Sequence, residues 1–64
     1  MEFIYLFIGS NDLEDMLIFL SVEEAIQTSI SHPRNKIEIF SKNEESFGYS
    51  PTYDYYKNGE LCRY

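Results

Sequence analysis

Cysteine is almost missing from this chain. Cys62 stands alone among 64 residues, so no disulfide forms within it. Histidine also occurs once, as His32, and tryptophan not at all. A ligand pool of Cys62, His32 and carboxylates falls short of the Cys and His sets that close a structural zinc site. Basic residues are few, five against eleven acids, for a formal net charge of −6. Arg34, Lys36, Lys42, Lys57 and Arg63 are scattered, with acids beside most of them. A phosphate backbone is met by clustered Lys and Arg, so nucleic acid is not an expected partner. The three glycines, Gly9, Gly48 and Gly59, are isolated and make no phosphate-cradling loop. No apolar run approaches the roughly 20 residues of a membrane span, so no membrane partner is expected. The opening Met1–Gly9 stretch carries Glu2 where a signal peptide is basic, and no small-residue cleavage site follows. With a lone cysteine, this predicts an intracellular protein in a reducing compartment.

What is present is the composition of a folded domain: 44% apolar and 17% aromatic residues. A disordered chain would have few aromatics and few β-branched residues. Sixty-four residues make one domain, 1–64, which buries only about 60% of its unfolded surface. Domains this small lean on disulfides, a metal or a second subunit. With the first two unavailable to this composition, a homodimer is expected by elimination.

Residues 3–8 are a continuous β-branched and aromatic run that reads as a strand buried on both faces. Phe3, Tyr5 and Phe7 point one way, and Ile4, Leu6 and Ile8 the other. Gly9-Ser10-Asn11-Asp12 is turn chemistry, and Met16–Leu20 reads as a second strand closing a hairpin with a loop of about six residues. A helix over 13–20 competes, since Leu13, Met16, Leu17 and Leu20 have helical spacing. Ser21-Val22-Glu23-Glu24 has the form of a capping box, a better helix start. Val22, Ala25, Ile26, Ser29 and Ile30 then form one stripe, with Glu23 and Glu24 at the positive end of the dipole and His32 and Arg34 at the negative end. Pro33 stops the helix, which is predicted over roughly 22–31.

Ile37–Phe40 alternates as a third strand, 43–48 reads as a loop, and 52–64 centres on Asn58-Gly59. Asn-Gly is the strongest short hairpin signal, because a type I′ turn needs positive φ at both central residues. A two-residue loop there pairs Lys57 with Glu60, Tyr56 with Leu61, Tyr55 with Cys62, Asp54 with Arg63 and Tyr53 with Tyr64. Opposite charges and aromatic neighbours make this register favourable. The expected fold is therefore α+β, β-β-α-β-β-β, an antiparallel sheet of order 2-1-3-4-5 with one helix packed on one face. That order places the doubly apolar first strand in the interior.

Candidate chemistry is thin. Asp12, Glu14 and Asp15 cluster without the alternating oxygen ligands, central glycine and distal glutamate of a calcium loop. His32 has no partner arrangement with Ser29 or Ser31 that sequence would assign to catalysis, and a dipole interaction at the helix end suits it better. Cys62 has no His-based motif around it and reads as a packed thiol. No cofactor, metal or catalytic residue is expected. Six tyrosines, five of them in the last sixteen residues, suit a protein interface better than base stacking, which also needs a basic groove.

Gly48-Tyr49-Ser50-Pro51-Thr52-Tyr53-Asp54-Tyr55-Tyr56-Lys57-Asn58-Gly59, with the preceding Ser-Val-Glu-Glu-Ala helix start and the Ile37–Phe40 strand, resembles small uncharacterised proteins of large DNA viruses that infect amoebae. The resemblance implies an accessory role inside an infected cell, in its cytoplasm or virus factory, and carries over no site residues. The sequence thus reads as a non-enzymatic structural or interaction domain acting as a homodimer, with a further protein partner possible. Tyr5, Phe7, Phe19, Phe40 and Tyr56 are expected near the subunit contact. The alternative is an acidic inhibitor that mimics nucleic acid and blocks a basic groove, which would need carboxylates in regular rows.

Overall fold

A computed structural model of the chain describes residues 2–9 and 16–63. The elements are β1 (Phe3–Ile8), β2 (Met16–Phe19), α1 (Val22–Ser31), β3 (Ile37–Lys42), β4 (Tyr49–Lys57) and β5 (Glu60–Cys62). The five strands form one sheet of order β2-β1-β3-β4-β5 with every neighbouring pair antiparallel. This is the expected α+β fold, and residues 16–19 are strand where helical spacing competed. The acidic cluster of Asp12, Glu14 and Asp15 lies outside the described residues.

β1 lies between β2 and β3, with Tyr5 opposite Phe19 on one side and Ile39 on the other. Phe7 sits in the same way between Leu17 and Ile37. α1 lies over this row of the sheet. Tyr5, Phe7, Ala25, Ile37 and Ile39 are the buried core, and Phe19 and Tyr56 pack against it. Of the helical stripe, only Ala25 and Ser29 are buried. Ala25 lets the helix approach the sheet, while Val22 and Ile30 at the stripe's ends remain exposed. A ten-residue helix is about 15 Å long and covers only part of a five-stranded sheet.

The helix starts where expected, but not by the expected bond. Ser21 has the extended backbone of an N-cap, and its carbonyl accepts from the Ala25 N–H at 3.2 Å, yet its side chain makes no cap hydrogen bond. At the other end the His32 N–H donates to the Thr28 carbonyl at 3.0 Å, and the chain leaves the helix before Pro33. The His32 ring then lies 5.0 Å from the Phe7 ring, tilted against it.

The terminal hairpin forms on Asn58 and Gly59, both with positive φ (49° and 80°). Its pairs are Lys57 with Glu60, Tyr56 with Leu61 and Tyr55 with Cys62, as the sequence predicts. The ladder ends there. β5 runs to Cys62, the expected Asp54–Arg63 rung lies beyond the described pairs, and the Tyr53–Tyr64 rung involves a residue outside those described. β4 is irregular at this point. Between Glu38 opposite Tyr55 and Phe40 opposite Pro51 the register shifts, and Tyr53 adopts a φ of 69°. A bulge bends the strand away from its hairpin partner. Thr52 secures it, its hydroxyl donating to the Ile39 carbonyl at 2.8 Å and accepting from the Asp54 N–H at 3.2 Å. Pro51 is tolerated in β4 because it lies beside the bulge and beyond the reach of β5.

Candidate interaction surface

Strand alternation gives the sheet a second face, turned away from α1. With Tyr5, Phe7, Ile37, Ile39 and Tyr56 directed at the helix, their neighbours Ile4, Leu6, Ile8, Phe40 and Tyr55 point to the opposite side. The register aligns them in rows. Ile18, Leu6, Glu38, Tyr55 and Cys62 run across all five strands, Ile4 lies beside Phe40, and Ile8 beside Met16. No described element packs over these rows, and Ile18 remains 54% exposed.

This open face also carries charge: Lys42 shares it with Phe40, and Lys57 and Glu60 share it with Tyr55 and Cys62. Lys36 holds its ammonium 4.6 Å from the centre of the Tyr55 ring, which places it on the same side as Glu38. A cation over an aromatic face is attracted by the ring quadrupole, weakly where water reaches it. One face thus presents an apolar field at β1 and β2, bordered by charges of both signs on and beside β3, β4 and β5.

The five residues expected at a subunit contact divide between the two faces. Tyr5 and Phe7 are core, with Phe19 and Tyr56 packed against them, so these four serve contacts within the chain. The Tyr5 and Tyr56 rings are 6.2 Å apart. Burial, and secondarily the neighbouring Tyr56 hydroxyl, raises the Tyr5 pKa above its ordinary value. Phe40 alone belongs to the open face. Ile4, Leu6, Ile8, Met16, Ile18 and Tyr55 share that face with it. Their apolar character was visible in the sequence, but the face that the helix would choose was not.

The other candidate chemistries find no assembled site. Among the described residues no group of three or more His, Cys, Asp or Glu is placed to hold a metal ion. Cys62 is a free thiol, half-buried, 3.9 Å from the Glu60 carbonyl. No buried side-chain nitrogen or oxygen among the described residues lacks a hydrogen-bond partner, so no polar group waits in a cleft for a ligand. Glu23, Glu24, Glu44 and Glu45 are exposed at the helix start and in the β3–β4 loop, in two pairs and not in a row. No described helix is long and apolar enough to cross a membrane. No family model matches the chain, and no curated protein or solved structure is similar to it.

Proposed function

We propose that the protein is a non-enzymatic interaction module that works as a homodimer, two copies meeting through the open faces of their sheets. The observation that carries this reading is the uncovered sheet face: no described element packs over the rows in which Ile4, Leu6, Ile8 and Phe40 lie beside Met16 and Ile18, and Ile18 is 54% exposed. The open face supplies apolar rows of the right kind, since Ile4, Leu6, Ile18 and Phe40 would interdigitate with their copies in a layer about 10 Å thick.

The face is also self-complementary, which favours a second copy over an unrelated partner. In a twofold arrangement every contact occurs twice, so Lys36 of each copy can meet Glu38 of the other. The resemblance to proteins of amoeba-infecting viruses supports an accessory, intracellular role for such a dimer in an infected cell. Sedimentation equilibrium tests the reading. A mass of two chains is expected at micromolar concentration, reduced to one by Phe40→Lys. Because each copy carries −6, association should strengthen as salt rises from low to physiological levels. A one-chain mass for the unmodified protein at these concentrations would refute the dimer.

A further inference from the structure

α1 leaves part of its own side of the sheet uncovered. A cavity of about 180 Å³ lies there, and no α1 residue lines it. Three rings line it, those of Phe3, Tyr5 and Tyr56, together with the apolar Ile39 and Leu61. The Tyr5 and Tyr56 rings are tilted by 51° to one another, and Phe3, two residues before Tyr5, shares its side of β1. Thr52 and Asp54 supply the polar part of the lining, and among the described residues Asp54 is its one charged group.

The bulge in β4 builds that polar part. Between the Glu38–Tyr55 and Phe40–Pro51 pairs, Thr52, Tyr53 and Asp54 of β4 stand against Ile39 alone. Tyr53 carries the strained φ of 69°, while the residues on either side of it both line the cavity. Bulky residues held at positive φ gather at ligand sites, and bulges re-aim side chains beside them. The Thr52 hydroxyl bonds the Ile39 carbonyl and the Asp54 N–H, which fixes the arrangement before any ligand arrives. Burial, and secondarily Tyr56, raises the Tyr5 pKa, so water is already partly excluded at this spot.

We infer that the cavity between Phe3, Tyr5, Tyr56 and Asp54 binds a small organic ammonium, an alkylated amine of headgroup size. Aromatic rings attract such a cation through their quadrupoles, more strongly where water is thin, and a carboxylate supplies the opposite charge. No buried polar atom among the described residues is orphaned, and Asp54 itself interacts within the chain. Rings and charge, not a missing hydrogen bond, therefore select the occupant. An anion would meet a chain of net charge −6 and a lining without a base. The volume is below the roughly 300–1,000 Å³ of pockets that hold drug-sized ligands, so the occupant is a small molecule and not a chain segment. The site lies on the helix side and goes beyond the face-to-face dimer without depending on it.

Tetramethylammonium chloride and tert-butanol, a cation and a neutral molecule of similar bulk, test the site when titrated into the full chain at constant ionic strength. Amide chemical shifts read residue by residue should saturate in the millimolar range of tetramethylammonium at Tyr5, Ile39, Thr52, Asp54 and Tyr56. Tert-butanol should bind at least tenfold more weakly. Asp54→Asn keeps the shape of the lining and should weaken the cation several-fold. Phe3→Leu keeps the lining apolar but removes one ring, so it should weaken tetramethylammonium and leave tert-butanol unchanged, a split that a general loosening of the fold would not produce. If Asp54→Asn does not fold, Phe3→Leu decides alone, and a cation affinity that it leaves unmoved overturns the inference. Equal affinity for the two solutes, shifts that never saturate, or shifts spread over Glu23, Glu24, Glu44 and Glu45 would overturn it as well. None of these outcomes alters the mass seen in sedimentation, so the dimer stands or falls separately.

Discussion

β1 makes the same offer to both sides of the sheet and receives two different answers. Phe3, Tyr5 and Phe7 face the helix, while Ile4, Leu6 and Ile8 face away, and the two rows are similarly apolar. One row holds the core. The other lies beside exposed Ile18 and Met16. The difference is not in the residues but in the connection between β2 and β3, which carries α1 across one face only. Hydrophobicity decides that a row needs cover. Topology decides which row receives it from its own chain, and no described element covers the other.

The sharpest way to break that comparison is to shorten one side chain on each face. Phe7→Ala opens the core where exposure is lowest and should cost about 3–5 kcal/mol, enough to unfold much of a marginal 64-residue domain. Leu6→Ala, next in sequence and on the open face, should cost under about 2 kcal/mol in urea unfolding at concentrations where chains are separate. Equal losses would mean that the open face is as well packed within one chain as the core.

The next effect concerns what ties the helix to the sheet. Ser29 is buried; its hydroxyl donates to the Ile26 carbonyl at 2.7 Å and accepts from the Gly59 N–H at 2.9 Å. Ser29→Ala leaves that turn amide without its acceptor and should lower stability by about 1–3 kcal/mol. Gly59→Ala attacks the same contact from the other side, at a φ of +80° and with its Cβ 2.9 Å from the Ile30 Cγ1. Ile30 is partly exposed and can shift, so the backbone term dominates and the loss should be on the order of 1 kcal/mol or more. A melting curve unmoved by either substitution would contradict the clamp.

Ile18→Ser, on the open face, should move the melting temperature of the separated chain little, since the side chain is already half exposed. It should weaken association at least tenfold by sedimentation. The smallest effect is alkaline. Tyr5 has its pKa raised in the folded protein, so the folded state holds that proton more tightly than the unfolded one. Its contribution is complete below the unfolded value near pH 10 and is lost as pH rises through the folded value. Tyr5→Phe should flatten the loss of stability above pH 10, measured by urea unfolding at stepped pH, and leave neutral-pH behaviour close to unchanged.

The helix, the sheet order and the hairpin turn were legible in the sequence because each rests on local chemistry: Pro33 after the helical stripe, a doubly apolar β1, Asn58-Gly59. The bulge was not, because nothing near Tyr53 announces a positive φ, and the Thr52 hydroxyl that holds it reaches a carbonyl thirteen residues away. The open face was half legible for a related reason. A strand's alternation separates its side chains into two sets but does not label them. The β2-α1-β3 connection joins parallel strands with β1 between them, and such crossovers are almost always right-handed. That rule places the helix relative to strand order, yet whether Tyr5 or Leu6 points beneath it depends on ladder parity, which composition does not contain. Four of the five residues expected at the contact were therefore on the covered face.

The Ser29–Gly59 bond also bears on the order in which the chain assembles. It joins groups thirty residues apart, whereas the elements it joins are each local: a hairpin that closes in about 1–10 μs and a helix that forms faster still. Neither is durable alone, since ten helical residues and a three-residue strand are too short to persist in water. The buried hydroxyl can accept the turn amide only after helix and hairpin both exist and have docked. It therefore forms after both elements, as part of their docking. In so small a domain, one buried serine hydroxyl ties the last hairpin to the one described helix.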